Sequence, residues 1–275
     1  MARKINGLSV ERATTQKHWN MSAMHAHREH ELYFLISGQR RYFLGHTIYD
    51  VAAGDAVFSP RDQLHRTVSL GTKGFDRYVI NFSQEHYEAF TALTGRDILS
   101  SYPKGGCFQL PADKAAQIES CFTQIDRDLK APDEWSRGAV TNLFYGILLD
   151  CFRYGTPKAP CQEETADKIQ QAARYISDHY AEVLTLEDAA NLAGMEKTYF
   201  SKRFKALTGF GFLDYLTQTR LRAAEDLLTR TELSIAEVSE ACGFSGSNYF
   251  GDVFRRYIGI SPTEYRLRSR SKENP

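Results

Sequence analysis

A short pattern is written twice in the C-terminal part of this chain, and it constrains the fold more than any other feature. From Leu186 to Gly209, LEDAANLAGMEKTYFSKRFKALTG, and again from Ile235 to Gly259, apolar residues recur at helical spacing, a glycine interrupts them, and a second apolar stripe follows. With one extra residue in the second turn, Gly194 pairs with Gly243, Tyr199-Phe200 with Tyr249-Phe250, Phe204 with Phe254, and Gly209 with Gly259. In the second copy Ile235, Val238 and Ala241 make the first stripe, and Gly243 ends it where a positive φ is easiest to place. Ser247 reads as the N-cap of the next helix, with Tyr249, Phe250, Val253, Phe254 and Tyr257 as its apolar face. Gly259 stops that helix and Pro262 prevents its continuation. Between the copies, Phe212, Tyr215, Leu216, Thr219, Leu221, Ala224, Leu227 and Leu228 lie on a helix long enough to fix their separation. Two short helices joined by a glycine-containing turn form a helix-turn-helix, whose second helix can lie in the DNA major groove. A rigid tandem suits two successive groove segments on one face of DNA, about 34 Å apart.

Charge alone would not suggest this. Lys plus Arg and Asp plus Glu each total 34, and from residue 166 onward each totals 15. The charge is unevenly placed, however. Lys197, Lys202, Arg203 and Lys205 share one recognition helix, Arg255 and Arg256 the other, and Arg266, Arg268, Arg270 and Lys272 form a basic tail. At 275 residues the chain has room for two domains, each with its own core. No stretch approaches the ~18 apolar residues of a membrane span, and MARKINGLSVERATTQ lacks an apolar signal core, so a cytoplasmic protein without membrane contact is expected. The five cysteines, Cys107, Cys121, Cys151, Cys161 and Cys242, are scattered without a C-x-x-C pair and read as reduced thiols.

The run Ala241-Cys242-Gly243-Phe244, then Tyr249-Phe250, Phe254, Gly259, Ser261-Pro262 and Tyr265-Arg266, resembles the signature of the AraC-type transcription regulators. It is a long, spaced pattern with few chance matches, and a tandem pair is itself that family's arrangement, so the resemblance covers about 166 to 268. Alignment to the family's pattern implies that Thr198, Ser201 and Lys202 face base edges, with Lys197 and Lys205 nearby. On the second helix it implies that Ser247, Asn248, Gly251 and Asp252 form the equivalent face, with Arg255 placed for phosphate and Arg256 beside it. Lysine can bond guanine, asparagine adenine, and aspartate the amino group of cytosine. Asp252 departs from expectation because an acid facing bases repels phosphate, and Gly251 weakens its helix by about 1 kcal/mol relative to alanine. The second helix is therefore expected to position more than it reads.

Upstream the texture changes. ELYFLIS, RYFLGHTIYDV, an Ala-Val-Phe run and FDRYVINF are strand-like, with turn residues between them, and suggest a small barrel or jelly roll. His25-x-His27, three residues, Glu31, six residues and Gly38 resemble the first cupin motif. Gly54, five residues, Pro60, four residues and His65 resemble the second, with Asp62 where a glycine is usual. AraC-type proteins commonly carry a sensor of this fold. The expectation is an α+β multidomain chain: a cupin-like ligand-sensing barrel over 1–110, a helical dimerisation and coupling segment over 111–154, a linker over 155–165, and an all-α tandem helix-turn-helix domain over 166–270. Residues 1 to about 20 are expected as an irregular arm or one edge strand, and the helix around Val140, Leu143, Phe144, Ile147, Leu148, Cys151 and Phe152 is apolar over enough of its circumference to need cover on two sides.

His25, His27, Glu31 and His65 are the donor types of a divalent metal site, and histidines one apart on a strand share a face. The same residues with Tyr33, Tyr42 and Arg40 or Arg77 also suit a hydroxyl-rich small molecule. His30 should point to the opposite face as an ordinary polar residue. The leading expectation is a non-enzymatic, ligand-responsive activator that senses a sugar or derivative, binds promoter DNA as a homodimer and meets RNA polymerase. The alternative is a metal-dependent cupin enzyme or metal sensor fused to a DNA-binding domain.

Overall fold

The computed structural model describes residues 3–15, 29–70 and 73–273. The chain packs as two compact units, 1–166 with 207–209, and 167–206 with 210–275. The first opens with β1 (Arg3–Ile5) and β2 (Leu8–Thr15), and continues with β3 (His30–Ser37), β4 (Gln39–Leu44), β5 (Thr47–Ala52), β6 (Asp55–Ser59), β7 (His65–Ser69) and β8 (Phe75–Phe82). Helices α1 (Gln84–Thr94) and α2 (Ile98–Ser101), strand β9 (Gly106–Gln109), the long helices α3 (Ala112–Lys130) and α4 (Ser136–Tyr154), and β10 (Thr156–Pro157) complete it. Among the described residues the strands form one sheet in the order β1-β2-β8-β3-β6-β9-β10 and a second in the order β5-β4-β7.

The near-continuous apolar runs follow from a sheet covered on both faces. Even-numbered positions of β3 and β8, among them Leu32, Phe34, Tyr78, Ile80 and Phe82, join Phe122, Ile125, Val140, Phe144 and Leu148 of α3 and α4 in the main core. Odd-numbered positions, Tyr33, Leu35, Phe75 and Val79, meet Tyr42, Leu44, Val51 and Val57 inside the barrel. The period-2 alternation of a strand makes this division.

Several expectations change. The N-terminal arm is two strands, and β2 lies inside the large sheet, paired with β8 from Leu8↔Phe82 to Thr15↔Phe75. The expected linker begins as part of the barrel unit. Thr156 and Pro157 pair with Gln109 and Phe108 at the edge of the large sheet, a place in a ladder where proline is tolerated. Lys158 then donates to buried Asp55 at 2.6 Å and to the Asp50 carbonyl at 2.7 Å. The broad apolar arc of α4 is covered on two sides as expected, and within the unit, by the sheet through Phe82 and Phe144 with ring centroids 4.9 Å apart, and by α3 in the same core.

The second unit is helical: α5 (Glu164–Asp178), which begins at the end of the first unit, then α6 (Leu186–Leu192), α7 (Lys197–Thr208), α8 (Phe212–Arg230), α9 (Ile235–Ala241), α10 (Ser247–Ile258) and α11 (Pro262–Glu273). The repeat seen in the sequence extends to individual hydrogen bonds. Thr185 with Asp188, and Ser234 with Glu237, form reciprocal capping boxes at α6 and α9. Gly194 and Gly243 both take positive φ, 62° and 74°, where left-handed backbone suits glycine. The next residues close the turns identically, Met195 N–H to the Ala190 carbonyl and Phe244 N–H to the Ser239 carbonyl. Two boundaries differ from expectation. Gly246 occupies the N-cap position of α10, so Ser247 is its first helical residue and no side chain caps it. Pro262 opens α11, where its missing N–H costs nothing, and Ser261 Oγ accepts the Glu264 N–H.

Candidate DNA interface and ligand site

In the helical unit Phe200 and Phe204 of α7, and Phe250, Val253 and Phe254 of α10, are buried. Phe204 meets Tyr215 of α8 at 5.7 Å, and Phe254 meets Tyr265 of α11 at 5.3 Å, so each recognition helix is held by its inner aromatic face. The outer faces are thereby fixed. Lys197, Thr198, Lys202 and Lys205 are exposed on α7, with Ser201 half-buried; Ser247, Asn248, Asp252, Arg255 and Arg256 are exposed on α10. Glu196 accepts the N–H groups of Thr198 and Tyr199 and anchors the start of α7, and Lys197 pairs with Glu187 at 3.4 Å.

Two residues here escaped sequence reasoning. Tyr199 and Tyr249, assigned to the aromatic pattern, are 49% and 56% exposed, because Phe200 and Phe250 already fill the inner arc. They stand at equivalent positions of the two copies and add a ring and a hydroxyl to each outer face. Tyr257, expected inside, is also exposed. Arg266, grouped with the basic tail, instead staples α11 to the body, donating to the carbonyls of Leu228 and Leu233, and Arg268 pairs with Glu264.

In the barrel unit, alternation sends Glu31, Tyr33, Arg40, Tyr42, His65, Thr67 and Arg77 to the inner face, all of them buried. Tyr42 Oη donates to Glu31 Oε1 at 2.9 Å, and Glu31 Oε2 lies 3.4 Å from His65 Nε2. His65 Nδ1 lies 2.8 Å from the Gln63 carbonyl, which can only accept, so Nδ1 carries a hydrogen and Nε2 faces the carboxylate. Arg40, fully buried, donates to Ser69 Oγ at 2.7 Å and Thr67 Oγ1 at 3.0 Å and lies 4.2 Å above the Phe75 ring. Arg77 lies 5.7 Å from the Tyr33 ring centroid and reaches Glu11 Oε1 at 3.3 Å. Burial pushes the Tyr33 phenol up to about 12 against the lowering influence of Arg77 and Arg40, and burial with the adjacent Glu31 raises Tyr42 well above its ordinary value. Both hydroxyls are therefore proton donors at neutral pH. Burial, followed by repulsion from Arg77, lowers Arg40.

Of the four residues with metal-donor chemistry, Glu31 and His65 are brought together; His25 and His27 lie outside the described residues. Among the described residues no three His, Cys, Asp or Glu side chains converge. His30 lies on the opposite face as expected, but it is packed into the core rather than standing as an ordinary polar residue. It is buried against Tyr87 and Phe82, with centroids 4.8 and 5.2 Å apart, accepts the Arg61 N–H at Nδ1 and faces Gln84 through Nε2. Thr67 and Ser69 were legible only as the continuation of the alternation from His65. A cleft of about 570 Å³ over the start of α4, lined by Asn6, Trp135, Thr141 and Tyr145, shares no residue with the barrel interior.

Residues 7–137 match the AraC-like ligand binding domain, and residues 189–268 match a helix-turn-helix domain. The two matches cover both units in the order that the geometry requires. The chain is an AraC-type transcription regulator. A transcriptional activator, RhaR of Enterobacter sp. (strain 638), is 26% identical over 91% of this AraC-type chain and 89% of its own length. The uncharacterized regulator YijO of Escherichia coli (strain K12) is 37% identical over 41% of this chain and 43% of its own. The DNA-binding domain of AdpA, solved with a target DNA, is 31% identical over 40% of this chain and 96% of that one, with a TM-score of 0.37. By its two domain matches this AraC-type chain joins a DNA-binding unit to a ligand-binding unit, and none of its described helices is long and apolar enough to cross a membrane.

Proposed function

We propose that the chain is a ligand-responsive transcriptional activator in which α7 and α10 enter successive major-groove segments while the barrel interior holds a sugar or sugar derivative. The repeat of caps, turns and inner aromatics across the two helix-turn-helix units carries the DNA half of this reading, because it aims two equivalent polar faces outward from one rigid body. Lys197, Thr198, Ser201 and Lys202 supply most of the base readout; Lys205, Arg255 and Arg256 supply phosphate contacts, with Ser247, Asn248 and Asp252 adding selectivity on α10. Buried hydroxyls, a carboxylate, an imidazole and guanidinium groups contributed by both sheets to the barrel interior offer the several fixed donors and acceptors that a hydroxylated ligand requires. Glu31 and His65 act as hydrogen-bonding groups of that interior. The chain works as a homodimer, through a surface that includes exposed Trp135 and Leu149, and meets RNA polymerase at the promoter. Full-length similarity to proteins named as activators supports the direction of regulation.

The test is a selection of bound duplexes from a random pool, followed by titration with wild type and Lys202→Ala. Loss of about tenfold in specific affinity, with non-specific binding little changed, is expected for a base-reading lysine. Equal loss on every duplex would instead make Lys202 a phosphate contact, and no selected sequence at all would sink the regulator reading.

A further inference from the structure

Buried polar groups are almost always hydrogen-bonded, and a guanidinium left without partners in a protein interior is costly. Arg77 is 5% exposed, yet its Nε and Nη1 have no hydrogen-bond partner, and its remaining nitrogen makes one 3.3 Å contact to the half-exposed Glu11. The Tyr33 hydroxyl beneath it is likewise buried, with no well-formed hydrogen bond and the Arg40 guanidinium as a polar neighbour. Tyr33 of β3 and Arg77 of β8 belong to the large sheet and Arg40 of β4 to the second sheet, so two permanent positive charges face the same interior. Glu31, the buried carboxylate of the same interior, already accepts from Tyr42 and lies against His65. Residues 16–28, QKHWNMSAMHAHR, contain no Asp or Glu; their ionisable residues are Lys17, Arg28 and three histidines. An uncharged sugar would satisfy hydroxyl geometry but would leave the Arg77 charge opposed only by the half-exposed Glu11.

We propose, resting on the ligand-binding reading of the barrel, that its effector is a hydroxylated small molecule bearing an anionic group, a sugar acid or sugar phosphate, which Arg77 and Tyr33 bind. The anion completes the hydrogen bonding of both side chains, and the hydroxylated body meets the wall of Tyr42, Glu31 and His65. Charge-assisted bonds of this type discriminate strongly between an acid and its neutral parent.

The experiment uses the full chain and two readouts. Thermal melts are recorded without additive and with D-galacturonate, D-gluconate, glucose 6-phosphate, D-galactose or D-glucose, for wild type, Arg77→Met and Tyr33→Phe. Arg77→Met without additive should melt at or above the wild-type temperature, since it removes a buried charge whose Nε and Nη1 lack partners while keeping much of the volume. At least one anionic compound should shift wild type while its neutral parent does not, and Arg77→Met should weaken that binding about 10- to 100-fold, Tyr33→Phe less. The galacturonate and phosphate arms separate the two anion chemistries. The proposal is overturned if Arg77→Met melts several degrees lower without additive, if galactose matches galacturonate, if the anion shift survives in Arg77→Met, or if no anion shifts wild type. Selective DNA binding by the wild-type chain without additive, measured on the same preparation, tests the regulator reading by itself.

Discussion

At the residue scale, two glycines in equivalent turns separate conformational cost from steric cost. Gly194 and Gly243 both require a positive φ, but a Cβ added at Gly194 would meet nothing within 4 Å, whereas at Gly243 it would lie 2.5 Å from the Ala181 carbonyl oxygen. Gly194→Ala should therefore cost about 1 kcal/mol, and Gly243→Ala clearly more, because backbone must move as well. Urea unfolding of the full chain, monitored separately for the two units, measures the difference; equal costs would mean that the Ala181 loop yields freely. The glycines were legible in the sequence because their role is local. Tyr199 and Tyr249 were not, since an aromatic at helical spacing looks like core until the neighbouring phenylalanines are seen to fill the arc. His30 was misjudged for a related reason: strand alternation put it correctly on the face opposite Glu31, but the helices covering that face come from later in the chain.

At the element scale, matching capping boxes tie both helix-turn-helix units to the same range of pH. The Asp188 carboxyl is held below its ordinary value by the Thr185 hydroxyl and N–H, and that of Glu237 by the Ser234 N–H and hydroxyl. A depressed carboxylate stabilises above its unfolded pKa, and that contribution is lost as pH falls through the folded value, which lies below the ordinary one for each group. Thermal melts across pH 3 to 6 should show the helical unit weakening in that window, and Asp188→Asn with Glu237→Gln should flatten the dependence. An unchanged slope would remove the boxes from the account. In the barrel unit, Lys158→Met should destabilise by about 1–3 kcal/mol by depriving buried Asp55 of a charged partner, read as a lower urea midpoint. Neither this contact nor β2 was visible beforehand. The prolines near 157 and 160 do mark the end of α4, but the pairing of Thr156-Pro157 with β9 and of β2 with β8 joins residues far apart in the chain, and the polar outer half of LSVERATT hides its alternation.

For the whole molecule, the order of a barrel unit followed by a tandem helical unit was legible because each has its own periodicity, 2 in one and 3.6 in the other. What binds inside the barrel was less so, since convergence of Arg77, Tyr33 and Glu31 depends on the strand order of the sheet. Linkage then makes a quantitative demand: whatever factor the effector applies to DNA affinity, DNA must apply to effector affinity. Titrations run in both directions should return the same factor, and unequal factors would mean that the two binding events are not joined by one equilibrium. The central claim is that both helix-turn-helix units read DNA from one face. Footprinting the full chain on a selected duplex, with probes for major-groove guanines and for the backbone, tests this most directly. Two protected major-groove segments about 10 to 10.5 base pairs apart on one face are predicted, the α7 segment losing its guanine protection in Lys202→Ala. A single protected segment, or two on opposite faces, would contradict the account.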